Sequence, residues 1–158
     1  MHDLPVRIVS LPPMRFICLN GFGSEPETQA WGKMIEWAKA KGLWDDGQLR
    51  RFFGFNNPDP SPASPNYGYD VWMTVAEDVQ PDGEAGLIEF PGGLYAVLNC
   101  PVQNPWQDIP AAWQNLVQWL EHSPYRHARH QWLEEHLDPQ NAISSAGFTL
   151  DLYLPIAK

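Results

Sequence analysis

The apolar residues of two segments recur at i, i+3, i+4 and i+7, which is the spacing of a helix buried on one side. The positions are Trp31, Met34, Ile35 and Ala38 in the first segment, and Trp113, Leu116, Val117 and Leu120 in the second. The first pattern predicts a helix over residues 26–41, with Ser24 and Glu27 at capping-box spacing and Gly42 after its end. The second predicts a helix that opens at Asn104-Pro105 or at Asp108 and ends near His122.

Shorter apolar runs, some with strict alternation, predict strands between these helices. The clearest are residues 67–75 and 147–156, where apolar and polar side chains alternate. The other predicted strands cover residues 6–19, 51–55, 87–98 and 131–137. Two of them contain proline breaks, at Pro12-Pro13 and at Pro91, where a bend or an edge is expected because proline cannot donate to a ladder.

The two halves of the chain resemble each other. Leu19-Asn20 matches Leu98-Asn99 at a shift of 79 residues, Trp31 matches Trp113 at 82, and Asp70-Val71-Trp72 matches Asp151-Leu152-Tyr153 at 81. Each repeat, at about 5–75 and 86–157, reads as strand–helix–strand–strand. We therefore expect one α+β domain over residues 1–158, in which duplicated units with pseudo-twofold symmetry form a curved antiparallel sheet with two helices on one face.

Composition narrows the classes of ligand and the cellular location that are expected. The net charge of −9 argues against direct binding to nucleic acid or to an anionic membrane, and suits a neutral or cationic ligand. No run approaches the roughly 18 apolar residues of a membrane span. Two unpatterned cysteines, Cys18 and Cys100, and the absence of a signal peptide favour the cytoplasm. Because no dinucleotide or phosphate-binding motif occurs, no cofactor is expected.

Several short motifs occur in a specific order along almost the whole chain. They are Phe53-Gly54-Phe55 leading into Asn57-Pro58-Asp59-Pro60-Ser61-Pro62, Tyr69-Asp70-Val71, Pro91-Gly92-Gly93-x-Tyr95-Ala96-Val97, the Trp113 helix and Asp151-x-Tyr153-x-Pro155. Together they resemble the GyrI-like effector-binding domains, which occur alone or fused to AraC-type and MerR-type regulators. The resemblance implies binding of a hydrophobic, often cationic, small molecule in a cleft between two halves.

The same resemblance leaves two alternatives open. Some free-standing relatives look like hydrolases of reactive DNA-alkylating natural products, and one branch inhibits DNA gyrase. No helix-turn-helix or zinc-finger segment is present, so this chain alone is not expected to bind DNA. A regulator, fused or separate, and gyrase are therefore the candidate protein partners.

The resemblance also places an acid at Glu134, on the strand before the closing one. Alternation puts Trp132, Glu134 and His136 on one face of that strand. We hypothesise that Glu134 forms the floor of a ligand pocket with three aromatic residues: Trp72, Trp132 and Tyr153. Further candidate contacts are Phe55, Trp113, Trp31 and Asn99. In an enzyme, Glu134 would be the catalytic acid or base. The alternatives are that Glu134 and Glu135 are solvated charges and that the tryptophans serve packing.

A metal site is the weakest candidate. His127, His130 and Glu134 would share a face if their segment were helical, and such a set could bind zinc. The neighbouring Arg126 and Arg129 would repel a cation, and the spacing matches no full zinc signature. We therefore expect no metal and a solvated loop over residues 124–131.

Overall fold

A computed structural model describes residues 4–44, 47, 49–57, 66–139 and 147–158. Residues 58–62 of the proline-rich motif lie outside these ranges. The chain divides into two compact units. We call Met14–Phe90 the central unit, and Met1–Pro13 together with Pro91–Lys158 the terminal unit. In the described part of the chain, no helix is long and apolar enough to cross a membrane.

The central unit is a four-stranded antiparallel sheet with one helix. Its elements are β2 (Met14–Gly23), α1 (Pro26–Ala40), β3 (Phe52–Asn56), β4 (Tyr67–Thr74) and β5 (Gly86–Phe90). The strand order is β3-β4-β2-β5, so the two longest strands lie in the middle. Helix α1 packs on β2 and β4 through Ala30, Trp31, Met34 and Ala38, which are fully buried.

The terminal unit also combines an antiparallel sheet with a helix. Its elements are β1 (Arg7–Leu11), β6 (Gly93–Val102), α2 (Pro105–Glu121), β7 (Arg126–His127), β8 (Leu133–His136) and β9 (Phe148–Ala157). The order is β8-β9-β6-β1, again antiparallel, and β7 pairs with the end of β9. Leu116 and Leu120 of α2 share a buried cluster with Leu150, Leu152 and Leu154 of β9.

The predicted α+β class and both helices are confirmed. Each helix begins at a proline, Pro26 or Pro105, because the first turn needs no proline N–H. Each ends one residue earlier than predicted. Prolines also separate β1 from β2 and β5 from β6. At the second break Gly92 has a φ of 86°, and a Cβ there would lie 2.5 Å from the carbonyl oxygen of Leu11.

Two local predictions are wrong, and one alternative is decided. The helix α1 has no capping box: the Glu27 carboxylate instead accepts a hydrogen bond of 2.6 Å from the Tyr67 hydroxyl. Of the two openings predicted for the second helix, Asn104-Pro105 is confirmed, and the Asp108 carboxylate accepts the backbone N–H groups of Gln103 and Asn104, both at 2.8 Å. The segment 124–131 is not wholly a loop, because β7 pairs with Ile156 and Ala157.

The boundaries of the compact units also differ from those of the predicted repeats. Strand β1 does not pair with β2, which follows it, but with β6, and Arg7 lies opposite Val97. Strand β5 likewise pairs with β2, and Gly86 lies opposite Cys18. The proline breaks prevent a hairpin at either point, since proline gives no N–H to a ladder. The pseudo-twofold superposition and the single domain remain predictions.

Candidate functional site

Each sheet has a face that carries its helix and a face that does not, and strand alternation assigns every side chain to one of them. We call these the helix face and the opposite face of each unit. In the terminal unit the opposite face carries Tyr95, Val97 and Asn99 of β6, Asp151 and Tyr153 of β9, and Leu133 and Glu135 of β8. In the central unit it carries Phe16, Cys18 and Asn20 of β2, Asp70 and Trp72 of β4, and Phe53 and Phe55 of β3.

A buried carboxylate lies on the opposite face of the terminal unit. The Tyr153 hydroxyl donates a hydrogen bond of 2.7 Å to Oε1 of Glu135, which is only 8% exposed. The Tyr95 ring lies edge-on to Tyr153 at 5.5 Å, and its hydroxyl donates to the carbonyl oxygen of Gln131 at 2.6 Å. Burial raises the pKa of Tyr95, so this phenol stays neutral. The arrangement places a carboxylate among aromatic rings, where an apolar cation is attracted by both.

A second acid on the same face has a cationic partner. Asp151 accepts a hydrogen bond of 3.0 Å from Nδ2 of Asn99 at Oδ1, and its Oδ2 forms an ion pair of 2.7 Å with Arg7. The Asp151 side chain is 9% exposed and the Arg7 side chain 56%. The Arg7 guanidinium therefore pairs with a buried carboxylate while its own side chain stays largely in contact with solvent.

The central unit has an acid in the corresponding place, Asp70, and within the described ranges no lysine or arginine forms an ion pair with it. Oδ1 of Asp70 accepts a bond of 2.6 Å from Nδ2 of Asn20, and its Oδ2 accepts one of 3.1 Å from Nδ2 of Asn57. Burial, and then the charge of Asp70, raise the pKa of the Cys18 thiol to about 12. The thiol is therefore protonated at neutral pH.

The opposite face of the central unit is otherwise aromatic. The Trp72 ring lies 5.1 Å from Phe16 and 5.0 Å from Phe55, the latter edge-on. Trp72 is only 6% exposed, whereas Phe55 is partly exposed. Two of the predicted contacts, Trp72 and Phe55, are therefore in contact with each other.

Glu134 lies elsewhere, and the prediction that it shares a pocket floor with Tyr153 is wrong. It pairs with Leu152 in the ladder, whereas Glu135 pairs with Asp151, so Glu134 points to the helix face. There its Oε2 accepts a hydrogen bond of 3.2 Å from Nε1 of Trp113.

The remaining predicted tryptophans lie near Glu134 on the helix face of the terminal unit or, for Trp31, on the helix face of the central unit. The Trp113 ring packs on Trp132 at 5.2 Å, and Trp31 packs on Phe52 at 5.4 Å in the central unit. The eight predicted site residues therefore divide by face. Tyr153, Asn99, Trp72 and Phe55 lie on opposite faces, while Glu134, Trp132, Trp113 and Trp31 lie on helix faces. Sequence reasoning missed Glu135, Tyr95 and Arg7, although Tyr95 stands within a motif of the family resemblance.

The histidines do not form a metal centre. Because residues 126–127 and 133–136 are strands, the helical face that would gather His127, His130 and Glu134 does not arise. His130 Nε2 lies 2.8 Å from the carbonyl oxygen of Leu94, and His127 stacks on Trp132 at 6.1 Å. No cluster of three potential metal-binding side chains occurs within the described ranges. His136 is buried against Phe148 on the helix face, and burial lowers its pKa to about 3.

Comparisons with solved structures support the fold. The chain superposes on EcmrR in its DNA complex with a TM-score of 0.68 and 14% identity, covering 97% of this chain and 57% of EcmrR. A protein described as a hydrolase from Listeria innocua gives 0.61 and 14%, covering 99% and 94% of the two chains. SAV2435 bound to tetraphenylphosphonium gives 0.57 and 11%, covering 98% and 94%. At these identities the likeness shows the fold alone.

The family follows from the sequence. No curated protein matches the chain. The family profile described as the GyrI-like small molecule binding domain matches residues 4–157, nearly the full length. This chain therefore belongs to the GyrI-like small-molecule-binding domain family.

Proposed function

We propose that this protein binds a lipophilic aromatic or cationic small molecule on the opposite face of the terminal unit, with Glu135 as the anionic contact. The observation that carries this proposal is the buried Glu135 carboxylate, which accepts the Tyr153 hydroxyl beside the Tyr95 ring. A small-molecule-binding role is typical of the family, and SAV2435, one of its structural neighbours, binds the lipophilic cation tetraphenylphosphonium.

The physical argument favours Glu135 over Glu134. A carboxylate attracts a cation more strongly where water is partly excluded, and Glu135 is the more buried of the two. Its hydrogen bond to Tyr153 also fixes its orientation before a ligand arrives, which lowers the entropic cost of binding. Glu134 accepts the Trp113 indole on the helix face, and we assign it and its tryptophan neighbours to packing.

The predicted contacts on the opposite faces remain part of the proposal. In the terminal unit these are Tyr153 and Asn99. Trp72 and Phe55 are proposed separately, as contacts for an aromatic group on the opposite face of the central unit alone. A charge–aromatic contact contributes about 0.5–2 kcal/mol, the upper value only when desolvated. In the terminal unit the tyrosines therefore supply affinity for any flat apolar ligand, while Glu135 selects the cationic ones.

The matched variants Glu135→Gln and Glu134→Gln test the assignment, because both remove one charge and keep the side-chain shape. Tetraphenylphosphonium is titrated with neutral triphenylphosphine oxide as the control, by calorimetry and Trp fluorescence. We expect Glu135→Gln to weaken the cation by roughly threefold to thirtyfold and the neutral ligand by less than about twofold. Glu134→Gln should change neither. A loss confined to Glu134→Gln would reverse the assignment, and equal losses for both ligands would make Glu135 structural.

Hydrolysis is the second candidate function. The Glu135–Tyr153 pair could supply a base and a phenolic donor, and one structural neighbour is described as a hydrolase. In an enzyme we assign the catalytic carboxylate to Glu135 in place of Glu134. Mass spectrometry of an electrophilic ligand after incubation separates the functions, since a binder returns the ligand unchanged and an enzyme consumes it.

We assign the binding role to drug or toxin sensing or resistance in the cytoplasm, where Cys18 and Cys100 would stay reduced. The chain spans 57% of the length of EcmrR. A regulator that reads the ligand, fused or separate, is the partner we propose, and DNA gyrase is the alternative. Pull-down with and without tetraphenylphosphonium would distinguish a ligand-dependent regulator from a ligand-independent inhibitor contact.

A further inference from the structure

We propose that Asp70 of the central unit is a binding site for the guanidinium group of a small ligand, in a position that corresponds to that of Arg7 beside Asp151 in the terminal unit. The inference does not use Glu135, and Phe55 is the one residue that it shares with the contacts proposed above. It rests on a difference between two carboxylates that have the same place in their sheets.

The two ladders match position by position. Asn20 lies opposite Asp70 in the central unit, and Asn99 lies opposite Asp151 in the terminal unit. In both units the asparagine donates Nδ2 to Oδ1 of the aspartate. The position two residues before the asparagine is Cys18 in one unit and Val97 in the other. In the central unit the edge strand β5 places Gly86 opposite Cys18. In the terminal unit the edge strand β1 places Arg7 opposite Val97.

Gly86 therefore stands where the other unit has its cation. A Cβ added to Gly86 would meet a single neighbouring atom within 4 Å, the carbonyl oxygen of Cys18 at 4.0 Å, so this position has room for a side chain to begin. In the terminal unit the Arg7 side chain runs from the corresponding position to Oδ2 of Asp151 at 2.7 Å. In the central unit Oδ2 of Asp70 receives only the neutral amide of Asn57 among the described residues.

The charge on Asp70 is consequently uncompensated by the lysines and arginines of the described ranges, although the residue is 7% exposed. Its effect reaches the neighbouring Cys18, whose pKa it helps to raise. A buried carboxylate without a cationic partner is unfavourable, and an external cation would relieve that cost on binding. The exposed side chains of Asn20 and Asn57 border Asp70 and leave an approach from solvent.

The expected ligand class follows from the contacts. A planar guanidinium presents several N–H donors in a fixed fork that matches a carboxylate, and Arg7 demonstrates this pairing on the corresponding site. Phe55 lies opposite Asp70 in the ladder and is partly exposed, so an aryl group attached to the guanidinium has an apolar surface to cover. We infer that an arylalkylguanidinium fits the site better than an alkylammonium.

Benzylguanidinium is the probe, and benzylurea is its neutral isostere. Binding of each is measured by calorimetry to the wild-type chain, to Asp70→Asn, and to Gly86→Arg, which would pair Asp70 internally. Gly86→Ala is the matched control, because its Cβ has room and carries no charge. We expect Asp70→Asn and Gly86→Arg each to weaken benzylguanidinium by about tenfold or more, and Gly86→Ala by less than about twofold. Benzylurea should bind all four proteins with equal weakness.

Several outcomes would overturn the proposal: no binding of benzylguanidinium to the wild-type chain, equal affinity for the urea, or affinity unchanged by Gly86→Arg in a protein with a normal thermal melt. The last test stands even if Asp70→Asn does not fold. Glu135→Gln separates the two sites. In the Glu135→Gln background, Gly86→Arg should still weaken the binding of benzylguanidinium by about tenfold, so failure of the Asp70 site and failure of the Glu135 site are distinguishable.

Discussion

The hydroxyl of Tyr153 donates a 2.7 Å hydrogen bond to the carboxylate of Glu135, and both side chains are buried on the opposite face of the terminal unit. The corresponding side chains in the central unit are Trp72 and Phe55, which meet as an edge-on aromatic pair at 5.0 Å. One ladder position thus carries an apolar contact in one unit and a polar contact in the other. The pair in the terminal unit therefore carries a carboxylate, that of Glu135 on strand β8, whereas the corresponding pair in the central unit is aromatic.

Replacing Tyr153 with Phe tests what this bond contributes to stability. The variant keeps the ring against Tyr95 but withdraws a donor from a buried carboxylate. We expect the free energy of unfolding to fall by about 1.5–3 kcal/mol, the usual contribution of a hydrogen bond to a charged group. Urea denaturation of Tyr153→Phe, Glu135→Gln and the double variant gives the coupling between them. Additive effects in that cycle would mean that the bond contributes nothing of its own.

His136 predicts a pH dependence. Burial lowers its folded pKa to about 3, whereas an unfolded histidine titrates near 6.5. The unfolded chain therefore binds the proton first. The contribution of His136 to stability is fully present above pH 6.5 and is lost as the pH falls towards 3. Between pH 7 and pH 5 this loss is about 2 kcal/mol.

The control for that prediction is His136→Leu, which keeps a buried apolar side chain against Phe148 and removes the titration. Chemical denaturation at pH 7 and pH 5 should show a larger decline in the wild-type protein than in the variant. A His130→Gln variant, whose wild-type ring bonds the carbonyl oxygen of Leu94, serves as the comparison for a partly exposed histidine. Equal declines in wild type and His136→Leu would contradict the prediction.

The charge of Asp70 should be detectable through Cys18. Because a negative neighbour disfavours the thiolate, Asp70→Asn should lower the Cys18 pKa from its value of about 12. Each unit of decrease raises the thiolate fraction at a fixed pH about tenfold. Iodoacetamide labelling at pH 9, in a Cys100→Ala background, would then become faster.

Cys100 provides the internal control for this labelling. Burial raises its pKa to about 11, and the charges that add to this effect are Asp108 and Glu134. Asp70→Asn in a Cys18→Ala background should therefore leave the labelling rate of Cys100 unchanged. An unchanged rate at Cys18 would mean that the Asp70 carboxylate does not act on the thiol, and would weaken the case for an uncompensated charge there.

The sequence predicted elements where the signal was long and local. Helices α1 and α2 each span at least 15 residues and start at a proline, so their apolar stripes and bounds were readable. Strand β8 has only four residues, and β7 two. A one-residue shift in such a short strand moves every side chain to the other face, which is why Glu134 was assigned the position of Glu135.

Long-range pairing was the other obstacle. The match between Asn20 and Asn99, and between Asp70 and Asp151, was visible in the sequence at nearly constant shifts. The pairing of β1 with β6 and of β5 with β2 was not, because the register of distant strands leaves no local pattern. Arg7 and Gly86 are also 79 residues apart, but without that pairing nothing in the sequence places either of them beside the aspartates. The carboxylates were thus predictable as repeated positions, but the cation that distinguishes them was not.

Removing the cation beside Asp151 in the terminal unit is the converse of adding one beside Asp70. Arg7→Gly removes the guanidinium from Asp151 and leaves this buried carboxylate with the Asn99 amide. The free energy of unfolding should fall by about 1–3 kcal/mol, less than for a fully buried pair, because the Arg7 side chain is more than half exposed.

The cavity left by Arg7 should then behave like the space beside Gly86. Benzylguanidinium would bind the variant at one more site than the wild-type chain, and saturating ligand should recover part of the lost stability, since a ligand that binds only the folded state raises its stability with concentration. Calorimetric stoichiometry and thermal melts with benzylguanidinium and benzylurea measure both effects. The urea should recover nothing. An Arg7→Lys variant, which keeps the charge without the planar fork, should gain no site. If Arg7→Gly gained no benzylguanidinium site over the wild-type chain, the correspondence between Arg7 and an external guanidinium would be wrong.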